Sequence, residues 1–196
     1  MKRSRFSKDF LHMKHYITVI IALLVFSLSA SAQKWSVGTN LVEWADFGTA
    51  NIEGSVAAGR HATVGVGARY NPWQFEKGDG RLMQNKQVSA YVYGRWWPWF
   101  IYSGWWLQGK AQYRQYNFGG VFEKETEEGD AYGAGLSLGY TLMIKKYFNL
   151  EFGAGFWGGY KTYTVYACPR CGRIIESGQK AFIMPDNISV SMLFIF

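Results

Sequence analysis

Past residue 34, apolar residues return at every second position through most of this chain. That is the spacing of strands with one apolar and one polar face. Eight segments of about ten residues carry the pattern, the length a tilted strand needs to cross a bilayer. They are residues 34–41, 49–58, 62–71, 87–96, 106–116, 131–144, 149–160 and 187–196. In the third, Val64, Val66, Ala68 and Tyr70 alternate with Thr63, Gly65, Gly67 and Arg69. In the fourth, Val88, Ala90, Val92 and Trp96 oppose Gln87, Ser89, Tyr91, Tyr93 and Arg95. In the last, Ile188, Val190, Met192, Phe194 and Phe196 share one face, with Ser189 and Ser191 on the other.

The predicted connections alternate in length. Residues 42–47, 72–86, 117–130 and 161–186 are long or polar, whereas 59–61, 97–104 and 145–148 are short or aromatic. Pro72, Pro98, Pro169 and Pro185 all fall in these connections, where a missing N–H costs no ladder bond. The pattern predicts an all-β fold: an eight-stranded antiparallel transmembrane β-barrel of the outer-membrane kind, wound as an up-and-down meander. An apolar strand at the end of a soluble chain would template aggregation, whereas closure inside a bilayer removes that edge. Phe196 then reads as the signal recognised by the barrel insertion machinery. A lipocalin-like soluble barrel would turn the apolar face inward around a ligand, and alternation alone does not separate the two. The terminal Phe196 and the crowding of Trp96, Trp97, Trp99, Phe100, Tyr102, Trp105 and Trp106 at one end of two strands favour the membrane form, the aromatics reading as an interfacial girdle.

The N-terminus changes the picture of charge. Lys2, Arg3, Arg5, Lys8 and Lys14 precede a short apolar run from Ile17 to Leu28, and Ala30-Ser31-Ala32 is a small-residue cleavage site. Residues 1–32 therefore read as a signal peptide and 33–196 as the barrel domain. The precursor's +7 falls to +3 once that segment is removed, with 16 Lys+Arg against 13 Asp+Glu remaining. No argument for nucleic acid survives.

Several strings resemble a known family. Thr39-Asn40-Leu41 ends the first predicted strand and Tyr70-Asn71-Pro72-Trp73 the third. Residues 113–120 read YRQYNFGG, 132–135 YGAG and 168–172 CPRCG. Together they resemble a Bacteroidota family of small outer-membrane proteins catalogued as domain of unknown function 3575, across essentially the whole mature chain. The resemblance implies an eight-stranded barrel and, because some members are encoded near fimbrial or surface-adhesin assembly genes, a role at the cell surface. The chain departs from the family pattern at Ala50-Asn51 and Glu43-Trp44, in or beside the first outer loop.

The candidate chemistry is sparse. Cys168 and Cys171 form a knuckle that a metal site could use, but four ligands are needed and export favours a disulfide between them. Glu53, Arg69, Arg95, Lys110, Arg114 and Glu151, with Lys161, face the barrel interior as a polar plug; a narrow solute channel is the alternative. His12 and His15 leave with the signal peptide and His61 lies on a short turn, so a serine nucleophile lacks its usual base. No catalytic residue, cofactor or metal is expected. Trp73, Phe75, Phe118, Phe122, Tyr163 and Tyr166 are the outer-loop contact candidates. The expected partners are outer-membrane lipid and lipopolysaccharide, the insertion machinery, and a surface or fimbrial assembly protein. The function expected is a non-enzymatic surface structural, assembly or adhesion-associated barrel.

Overall fold

The computed structural model describes residues 35–76, 82–120, 125–168 and 172–196. Among them lie β1 (Trp35–Asn40), the short helix α1 (Leu41–Ala45), β2 (Ala50–Ala57), β3 (Ala62–Asn71), β4 (Gln74–Glu76), β5 (Leu82–Trp96), β6 (Gly104–Gly119), β7 (Thr126–Lys145), β8 (Phe148–Tyr166) and β9 (Ile174–Ile195). Their order in the sheet is β3-β2-β1-β9-β8-β7-β6-β5-β4, all neighbours are antiparallel, and β3 also pairs with β5. That last ladder, Ala62↔Trp96 to Asn71↔Gln87, closes the wall. Eight strands thus form a closed meander barrel. β4 is a three-residue rung pairing with Leu82, Met83 and Gln84 beyond the end of the β3–β5 ladder.

The alternation of the sequence becomes an inside-out wall. Ile52, Val64, Val66, Val92, Leu136 and Phe156 project from the outer surface, while Thr63, Ser89, Gln108, Ser137, Thr141 and Glu151 are buried inside. The inversion that a soluble carrier barrel requires is therefore not the arrangement found.

Strand lengths differ around the wall: β1, β2 and β3 have 6, 8 and 10 residues, whereas β7, β8 and β9 have 20, 19 and 22. This corrects the predicted long connections. Most of residues 161–186 is strand, and β8 and β9 pair from Lys161↔Lys180 to Val165↔Glu176. Residues 117–130 shrink likewise, with Asn117 opposite Glu128. In both stretches polar residues enter each face and the apolar ones, such as Val165, Ile174 and Ile183, do not recur at every second position, so the hydrophobic period that marks a strand fades there. Pro185 lies within β9, opposite Phe156, instead of in a loop. The first strand stops at Asn40, and part of the predicted 42–47 loop is helical.

One end of the barrel is capped from within. Trp97, Tyr102, Trp106, Leu193 and Ile195 form a buried apolar cluster. Trp97 meets the Tyr102 ring edge-on at 5.9 Å, and its Nε1 donates to Thr63 Oγ1 at 3.1 Å. Trp97, Tyr102 and Trp106, expected in an outward girdle, are thus interior, while Trp96, Trp99, Phe100 and Trp105 stay exposed. Inward glycines make room for these rings: a Cβ on Gly139 would lie 2.2 Å from Trp106 Cζ2.

Candidate functional site: a closed interior and an outer rim

The inward row of β5 places Arg95 at the centre of the barrel. Its Nε donates to Gln108 at 2.6 Å, Nη1 meets Glu151 at 3.1 Å and Nη2 meets Glu53 at 3.2 Å. The Tyr93 and Trp106 rings lie 4.7 and 4.6 Å from the guanidinium carbon. Thr141 adds a hydrogen bond to Glu151 at 2.9 Å. A buried carboxylate pair is tolerated because one planar cation serves both and hydrogen bonds fill the remaining lone pairs.

A second cluster lies beside it. Arg69 Nε meets Glu43 at 2.8 Å and its Nη1 meets Asp186 at 3.3 Å. Lys110 also bonds to Asp186. The Tyr91 ring lies 5.1 Å from Arg69 and 5.5 Å from Lys110. Glu53, Arg69, Arg95, Lys110 and Glu151 are therefore brought together. Arg114 shares the inward row of β6 but makes no ion pair with a described residue. The cavity bounded by Asn40, Glu43, Arg69, Arg95 and Glu151 measures about 20 Å³, room for a single water.

Sequence reasoning missed Glu43 and Asp186. Glu43 sits on a one-turn helix in a stretch too short to show a period, and Asp186 precedes a register shift in β9. The Glu43 carboxylate holds Arg69 in place.

Asn40 and Asn51 finish the wall where β1 ends. Asn40 Oδ1 accepts from the N–H of Val190 at 3.2 Å and of Val42 at 3.1 Å. Asn51 Oδ1 accepts the Asn40 N–H at 2.6 Å, and its Nδ2 donates to the Asn40 carbonyl at 2.9 Å. Two carboxamides thus stand in for a missing stretch of strand.

At the tall end of β6–β9, tyrosines donate to carboxylates. Tyr113 bonds Asp130 at 2.7 Å, Tyr116 bonds Glu127 at 2.6 Å, Tyr166 bonds Glu128 at 2.7 Å, and Tyr163 bonds Glu176. Burial pushes the Glu127 carboxyl up, but its bonds from Lys161 and Tyr116 outweigh that and hold it below the ordinary carboxylate value. Trp73, Phe75 and Phe118 are exposed, and Phe75 lies 6.2 Å from Phe47. Phe122 lies outside the described residues. So does Cys171, and with it the predicted pairing to Cys168. No three His, Cys, Asp or Glu side chains among the described residues are grouped to hold a metal. His61 Nδ1 lies 3.0 Å from the Trp97 carbonyl, at the capped end, far along the wall from the tyrosine–carboxylate pairs.

No curated protein matches the chain. Residues 18–196 match the family described as "Protein of unknown function (DUF3575)", and the chain belongs to that family.

Proposed function

We propose that residues 1–32 are a cleaved signal peptide and that the mature chain is a non-enzymatic integral outer-membrane barrel, a cell-surface structural or assembly component whose outer rim binds a protein partner. The observation that carries this reading is the inside-out wall. Its apolar outer face runs between Trp96, Trp99 and Trp105 near the capped end and Tyr113, Tyr132 and Tyr160 towards the tall end. Two aromatic rows bounding an apolar belt match the two interfaces of a bilayer. No helix among the described residues is long and apolar enough to cross a membrane, and that leaves strands unaddressed. Above the upper row, β6–β9 rise with their tyrosine–carboxylate pairs and with Phe118 exposed, which suits contact with another protein. His61 bonds a carbonyl at the opposite end, which supports a role other than catalysis.

The test is fractionation of native cells, followed by extraction of the outer membrane in mild detergent and mass determination of the intact particle. A particle carrying a second protein in fixed ratio is expected. A lone barrel of monomer mass would remove the partner from this reading, and recovery in the soluble fraction would overturn the membrane assignment.

A further inference from the structure

The upper part of β9 has an edge that no strand covers. β1 pairs with β9 only from Ser191 to Ile195. Among the described residues, no strand lies on that side of β9 from Ile174 to Ser189. The register identifies the backbone groups facing the open side. Val190, opposite Phe152 of β8, sends its N–H to Asn40, away from β8. In an antiparallel ladder such residues alternate with ones whose N–H and C=O both face the partner strand. Between Gly153 and Gly155 the register shifts, β9 passing from Ser189 to Asp186. Carried through that bulge, the alternation turns the amides of Pro185, Ile183, Ala181, Gln179 and Ser177 away from β8; they sit opposite Phe156, Gly158, Tyr160, Thr162 and Thr164.

Pro185 fits this assignment, since a residue without an N–H is tolerated where no neighbour requires one. It blunts the edge at its lower end, a common defence against unwanted pairing. Above it, Ser177, Gln179, Ala181 and Ile183 keep theirs. Ile183 is 81% exposed, with only Gly158 opposite it on β8. On the other face of the same stretch, Glu176 and Lys180 set opposite charges four residues apart.

We propose that this edge, from Ser177 to Ile183, takes an extended segment of a partner protein as an added antiparallel strand. The proposal rests on the reading of an exported barrel whose rim meets a partner, and it names the partner's chemistry. The segment carries a basic residue across from Glu176, an acidic residue across from Lys180 and a β-branched or aromatic residue beside Ile183. Main-chain hydrogen bonds supply the affinity and these side chains the selectivity.

The probe is a proline-free peptide of alternating valine and threonine, with lysine and glutamate placed to oppose Glu176 and Lys180 in antiparallel register. It is added to the full mature barrel in micelles, and amide hydrogen exchange is followed by NMR. Protection is expected at Ser177, Gln179, Ala181 and Ile183, with no gain at Glu176, Gly178 and Lys180, whose amides already face β8. Gln179→Pro, which removes one edge donor and leaves the β8 ladder intact, is expected to weaken binding at least about tenfold, the scale of one lost hydrogen bond. Gln179→Ala should bind like the parent, and a peptide with its two charges exchanged should bind less tightly. Absence of protection, protection without alternation, or Gln179→Pro binding like the parent overturns the proposal. If Gln179→Pro does not fold, the exchange pattern of the parent protein decides. A barrel recovered from the outer membrane whose edge amides gain nothing leaves the assembly reading standing, whereas recovery in the soluble fraction removes that reading itself.

Discussion

Arg95 faces inward from β5, donates to Gln108, Glu53 and Glu151, and stacks between two aromatic rings. Replacing it with alanine would leave two buried carboxylates sharing a space with no cation. Breaking such a pair costs about 3–5 kcal/mol, so Arg95→Ala should lower the denaturant midpoint of the folded barrel by a corresponding amount, measured by tryptophan fluorescence. Arg95→Lys should recover only part of the loss, because an ammonium does not reproduce the planar fork that reaches three acceptors. Gly139→Ala tests the same interior from the apolar side. Its Cβ would meet the Trp106 ring at 2.2 Å, and overpacking of this kind costs about 1–3 kcal/mol, readable in the same assay. At this scale the sequence was informative wherever period two held: Arg95, Glu53 and Glu151 all sit on strands whose apolar alternation is plain. Glu43 and Asp186, their equals in the network, sit where the alternation is interrupted, one by a helical turn and the other near a bulge.

Elements were legible in proportion to the apolar face they carry. β3 begins and ends where the alternation does, at residues 62 and 71. β8 and β9 continue through Thr162, Thr164, Ser177 and Gln179, where polar residues interrupt the apolar face and hydropathy gives no period. What holds these extensions is polar, and pH should act on it. Glu127 on β7, five residues beyond Tyr132 of the upper aromatic row, bonds to Lys161 and Tyr116 and titrates below its ordinary value of 4.5. A carboxyl depressed in the folded state stabilises it fully above the unfolded value, and the contribution disappears as pH falls through the folded one. The tips of β6–β8 should therefore keep their exchange protection at neutral pH and lose it selectively below about 4.5, before the barrel wall opens. Glu127→Gln should flatten that dependence.

For the whole molecule, the two ends differ. The end holding Trp97, Tyr102, Leu193 and Ile195 is closed by apolar packing, and the middle by ion pairs around a cavity of about 20 Å³. A barrel so filled should pass no steady current in a planar bilayer. Exchanging Arg69 and Arg95 together for alanine is the variant most expected to leak, and a conducting parent protein would instead favour the narrow-channel reading.

Closure itself has a consequence in time. Trp35 and Phe196 exchange backbone hydrogen bonds of 3.2 and 2.8 Å, and Ser36 to Asn40 pair with Ile195 to Ser191. The ladder that completes the wall therefore joins segments about 150 residues apart in the sequence, a costly loop to close. No subset of strands made earlier can bury its edges in the meantime. Until the residues of β9 have emerged, β1 has one neighbour instead of two, so the native wall assembles only after β9 has been synthesised.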